Sequence, residues 1–132
     1  MKMLIDLKVD HINISGLRMI GNAARNKDKV AVAFMEAREY VNRSFEIVLQ
    51  SDARITYDVF PMCVMKGYED YQLEWRNYKM YFGNRVIKDF FKFTNSLKAK
   101  GAKCRGCEKA ALCGGVIRGY IEQNGWEEFG YD

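Results

Sequence analysis

With 132 residues, 48% of them hydrophobic, the chain can build one real core but is too short for a complete (β/α)8 barrel, which takes roughly 200 residues or more. Its formal net charge is +4, and no apolar run approaches the roughly 18 residues of a membrane span. Charge interrupts Met1-Lys2-Met3-Leu4-Ile5-Asp6 at once, so this stretch does not read as a signal-peptide core. The expected location is cytoplasmic, a reducing compartment that disfavours disulfides.

Residues 1–8 read as the end of a helix packed through Leu4, Ile5 and Leu7. Residues 10–15 alternate apolar and polar side chains, which predicts a strand with Ile12 and Ile14 inward. His11 is the only histidine and lies 52 residues from the nearest cysteine. It reads as a strand-edge residue, and its isolation disfavours a Cys-His or Ser-His-Asp mechanism. Residues 16–28 are rich in Gly, Asn and basic side chains and read as an ordered loop. After the C-terminal end of a strand, such a loop sits where α/β proteins place ligands, making Arg18 and Asn22 the candidate cofactor-binding residues. The plainer reading is a solvated connection with Met19 and Ile20 tucked into the core.

Residues 29–43 carry the clearest helical period, with Val30, Phe34, Ala37 and Val41 on one stripe and Asp28 as the expected N-cap. Residues 45–49 then read as a buried strand, 51–54 as a turn and 55–58 as a short strand. Strand, helix, strand predicts a βαβ unit in which residues 10–15 and 45–49 run parallel. Pro61, the only proline, ends the preceding strand just before Cys63. Residues 68–82 hold Tyr68, Tyr71, Trp75, Tyr78, Tyr81 and Phe82, a set that reads first as core, or as a small hairpin or a cover over a metal site. From 76 to 109 ten Lys or Arg face two acids, a local charge of +8. That balance fits a nucleic-acid footprint or, as we prefer, compensation of an anionic thiolate site, because Lys103, Arg105 and Lys109 lie among the cysteines.

The chemistry is concentrated in Cys104-Arg-Gly-Cys107-Glu-Lys-Ala-Ala-Leu-Cys113-Gly-Gly, which holds three of the four cysteines, with Cys63 lying 41 residues upstream. Four thiolates match an all-cysteine zinc site or one cubane iron–sulfur cluster. Two residues between Cys104 and Cys107 allow a tight turn that aims both sulfurs at one centre, with Gly106 supplying a positive φ. Residues 116–122 read as a short helix starting at the metal, its free N–H groups placed to donate to an anionic sulfur. Two disulfides, or unrelated buried thiols, are the competing readings. Spacing leaves zinc and iron–sulfur open.

The stretch from Lys103 to Phe129 resembles the C-terminal auxiliary-cluster segment of radical S-adenosylmethionine proteins, where Cys-x2-Cys-x5-Cys-Gly-Gly-Val continues into a Tyr, a Gly and a Glu-Phe. Here those are Tyr120, Gly125 and Glu128-Phe129. Phe60-Pro61-Met62-Cys63 is similar to the family's Pro-x-Cys, and Ile14 to Asn26 to its late barrel strand and Gly-Asn-Ala loop. The resemblance implies a four-iron four-sulfur cluster on Cys63, Cys104, Cys107 and Cys113, with every iron held by protein and none open to substrate. The family's catalytic Cys-x3-Cys-x2-Cys motif is absent, and Ile117 stands where a further SPASM cysteine would fall, so only one cluster fits, as in the shorter Twitch form.

The implied fold is α/β: a partial-barrel βαβ remnant over residues 1–62, then a small cysteine-rich cluster-binding lobe with a short C-terminal helix over residues 63–132. The implied function is the auxiliary-cluster portion of a radical SAM enzyme, relaying electrons or binding a peptide or protein substrate while another chain supplies the catalytic half. Alone, such a chain should cleave no S-adenosylmethionine. The reading from a different class is a zinc-stapled interaction module, Zn2+ on the same four thiolates, binding protein or RNA.

Overall fold

In the computed structural model, which describes residues 1–73 and 79–130, a short helix α1 (Lys2–Asp6) leads through Lys8, at φ 54°, into strand β1 (His11–Ser15). The chain then makes two single-turn helices, α2 (Asn22–Arg25) and α3 (Lys27–Val30), before the long helix α4 (Phe34–Val48) and strand β2 (Arg54–Asp58). β1 and β2 pair in parallel, from His11 opposite Arg54 to Ser15 opposite Asp58, with α4 as the crossover. The βαβ unit therefore exists, with the first strand the sequence suggests and a helical crossover, but with 54–58 and not 45–49 as the second strand.

Residues 45–49 are not a strand: α4 runs on through Phe45 and Val48. The buried stripe is Phe34, Val41, Phe45 and Val48, so the helical period continues where a short apolar run also suits a strand. Ile47 and Leu49 point outward, and the parallel partner of β1 is the next apolar segment, 54–58. The start of α4 also differs. Ala31 and Ala33 are extended, so the helix begins at Phe34, Val30 lies outside it and is 43% exposed, and Asp28 falls in the first turn of α3 instead of capping α4. Ile20, expected inside, is 71% exposed, while Met19 is half-buried.

One buried cluster unites this unit with the second half of the chain. Ile12, Phe34, Val41, Phe45, Val48, Ile55 and Tyr57 pack with Val64, Met65, Val116, Tyr120 and Phe129, drawing on both sides of position 62. Phe45 is its hub: its ring centroid lies 4.7 Å from Tyr68, 5.4 Å from Tyr71 and 6.1 Å from Tyr57. Tyr68 and Tyr71 thus serve the core, and Gln72 continues beside β2 in a parallel bridge to Tyr57.

Beyond it come an antiparallel hairpin of β3 (Met80–Phe82) and β4 (Arg85–Ile87), turning at Gly83, and helix α5 (Phe90–Ser96), capped by the Asp89 carboxylate accepting from the Lys92 N–H at 2.9 Å. The hairpin matches one reading of the aromatic stretch; Trp75 and Tyr78 lie outside the described residues. β5 (Lys98–Ala99) and β6 (Val116–Ile117) pair antiparallel and clamp the two ends of the cysteine loop, and α6 (Arg118–Asn124) comes next. Val116 belongs to β6, so the last helix begins at Arg118, one strand beyond the cysteines. No helix among the described residues is long and apolar enough to cross a membrane.

Candidate metal centre

Cys63 follows a closely packed strand end. β2 ends at Asp58, and Val59 comes next, fully buried at φ 73°, a conformation that strains a β-branched residue. A Cβ on Gly16 would come within 3.0 Å of the Val59 side chain, so the strand end and the loop after β1 are locked together. Gln72 is buried and its Nε2 donates to the Phe60 carbonyl at 3.0 Å. Pro61 is buried two residues before Cys63, and successive turns, Val64 N–H to Pro61 and Met65 N–H to Met62, both at 3.0 Å, bury Met62, Val64 and Met65 around a half-buried Cys63.

The other three thiols sit on a loop with no core of its own. From 101 to 114 no residue is buried. Short turns order the backbone: Cys107 N–H reaches the Cys104 carbonyl at 3.4 Å, with Gly106 at φ 84° as the spacing predicts, and Cys113 N–H reaches Lys109 at 2.8 Å. Gly115 N–H donates to Cys113 Sγ at 3.4 Å. The N–H group aimed at a sulfur therefore comes from the Gly-Gly turn and not from a helix start.

These two parts of the chain meet at one open-sided cavity of about 400 Å³, lined by Cys63, Cys104, Cys107 and Cys113. All four are free thiols, so the disulfide reading does not hold. Burial pushes the Cys63 thiol above its ordinary range; the Gly130 N–H at its sulfur pulls it partly back, and Cys113 and Cys104 push it further up. Among the described residues no three His, Cys, Asp or Glu are gathered to hold a single ion. Four thiolates lining one cavity of about 400 Å³ are a donor set that either a zinc ion or a four-iron cluster would take.

The walls between the thiols are apolar and come from the C-terminal tail: Trp126 and Phe129, with Val116 and Pro61. Of residues 68–82, none of those described lines the cavity. Lys100 and Lys103 stand on the rim; Lys100 Nζ donates to the Ala110 carbonyl at 2.6 Å, bracing the loop. Arg105 is exposed and Lys109 pairs with Glu108 at 3.7 Å, so charge compensation at the cavity falls to Lys100 and Lys103. Sequence reasoning places Lys103 among the cysteines but counts Lys100 only in the basic run, and it assigns no role to Trp126 or Gly130; a Trp-x-x-Phe just after a helix-ending glycine is the only local hint of the wall.

Arg18 and Asn22 do not line this cavity. Arg18 lies just after β1 and approaches Asp58 at 3.9 Å. Asn22 opens α2, is exposed, and its carbonyl accepts from Asn26 Nδ2 at 2.9 Å. His11 Nε2 lies 2.8 Å from Thr56 Oγ1 on the polar face of the two-stranded sheet, a structural role. Compared with family models, with curated proteins and with solved structures, the chain matches none.

Proposed function

We propose that the chain binds one four-iron four-sulfur cluster through Cys63, Cys104, Cys107 and Cys113 and works as the auxiliary-cluster portion of a radical S-adenosylmethionine enzyme. The observation that carries this reading is the convergence of Cys63 with three cysteines at least 41 positions away on one cavity. Support also comes from the coreless loop 101–114, which has the character of a segment folded around a metal. In this reading the β1–α4–β2 unit is the rear part of a barrel, and the chain works in a reducing compartment, the cytoplasm, where free thiols persist. When bound, the cluster supplies one-electron transfer.

The chain's own residues do the rest. Trp126 and Phe129 give the thiols an apolar wall, Lys100 and Lys103 offset their negative charge, and the Gly115 N–H donates to one sulfur. With four protein thiolates the site relays electrons or shapes a surface for a peptide or protein substrate, and a separate catalytic half cleaves S-adenosylmethionine. Iron, acid-labile sulfide and zinc per chain, measured on protein prepared without oxygen beside C107S, test it. Near-equal iron and sulfide, lost in the variant, is the expected result. One zinc without sulfide would leave the interaction module instead.

A further inference from the structure

Helix α4 has no capping side chain of its own, because the residue before Phe34 is Ala33. Its first N–H groups are taken by the far end of the chain. Phe34 N–H donates to the Tyr120 hydroxyl at 2.7 Å, and Met35 N–H donates to Glu128 Oε2 at 3.0 Å. The Tyr120 hydroxyl in turn donates to Glu128 Oε1. The Tyr120 ring stacks on Phe34 at 3.9 Å, and Phe129 meets both rings edge-on.

The same few residues form a wall of the cysteine cavity. Trp126, Glu127, Phe129 and Gly130 line it while Glu128, between them, reaches the other way to α4. The tail is also fastened to the cysteine loop: a Cβ on Gly101 would lie 2.7 Å from the Trp126 ring, and Lys103 Nζ donates to the Glu127 carbonyl at 3.4 Å. Cys63 is fixed to the α/β unit, and Cys104, Cys107 and Cys113 ride on a loop without a core, so the tail is a bridge between the two halves of the thiol set.

We propose that Glu128 and Tyr120 are positioning residues for that set: together they clasp residues 126–130 onto the N-terminus of α4, holding the tail against Cys63 and the cysteine loop in register with it. The proposal deepens the metal-site reading and rests on that reading only in its second arm below. Closing the cavity and capping α4 are then one event. Metal loading should tighten the amides of Phe34 and Met35, which lie outside the cavity wall.

The test compares wild type, Y120F, E128A and E128Q. In metal-free protein, the rate of iodoacetamide alkylation is read cysteine by cysteine by mass spectrometry. Y120F and E128A should speed Cys63 several-fold, leave Cys107 unchanged, and speed hydrogen exchange at Phe34 and Met35; E128Q, which keeps one acceptor oxygen, should fall between. Y120F retains the ring against Phe34, so it decides the matter even where E128A unfolds the chain. Equal acceleration of Cys63 and Cys107 in Y120F, or none at either, would overturn the clasp. In the second arm, iron and sulfide should leave Y120F faster than wild type under a chelator. Wild type that takes up no metal would remove the metal reading, while the alkylation ratio still decides the clasp.

Discussion

The α/β unit and the cysteine loop are stabilised in opposite ways. Around Phe45, Val48 and Tyr57, all without solvent exposure, the chain holds its shape by burying apolar surface. Between 101 and 114 no residue is fully buried, and its order rests on single turns, the β5–β6 clamp and a few long-range ties. A segment without a core adapts its side chains to a ligand, whereas a packed one imposes its geometry. The four thiols combine the two: Cys63 stands on the imposing part, the other three on the adaptable part.

The contrast breaks most sharply on Phe45. F45A removes the hub of the aromatic cluster and should cost about 3–5 kcal/mol, seen as a lower urea midpoint, with or without metal. A midpoint that moves only in metal-loaded protein would mean that the two regions do not differ as described. The loop's counterpart is G115A. Gly115 has φ 94°, and a Cβ there would run into the Ala99 carbonyl across the β5–β6 pair. Strain and overpacking together should cost about 2–4 kcal/mol. Its signature should be local: rapid exchange or proteolysis between Lys98 and Ile117, with the amides of β1 and β2 still protected.

The range of an interaction decides whether the sequence reveals it. β1 and the Cys104–Cys107 turn are legible because alternation and a glycine at the third position of Cys-x2-Cys act within a few residues. Phe45-Glu-Ile-Val-Leu is ambiguous because a short apolar run suits a strand or a buried helix, and only its continuity with Phe34 and Val41 makes it a helix. The start of α4 is illegible for a different reason: its caps, Tyr120 and Glu128, lie 86 and 93 residues away. The thiol set is legible by count and spacing. Its wall of Trp126 and Phe129 is not, since nothing local ties those rings to Cys63.

The smallest of these effects concerns the contact that joins the two regions. Tyr120 is buried and its hydroxyl bonds the Glu128 carboxylate, so burial first and that neighbour second push its pKa well above the ordinary value of about 10. The unfolded chain therefore releases the tyrosine proton before the folded chain does. The resulting stabilisation is complete below the unfolded value of about 10 and is lost as pH rises from there toward the folded value. Cys63, also pushed up by burial, works in the same direction but from the ordinary thiol range. Y120F removes the tyrosine contribution alone. It also leaves the Phe34 N–H without its acceptor, so at neutral pH it should be less stable by about 1–2 kcal/mol. The difference in thermal midpoint between wild type and Y120F should be constant from pH 7 to about 9 and shrink above about 10. A difference that stays flat to pH 11 would show that the hydroxyl is open to water and that the tail is held to α4 by ring packing alone.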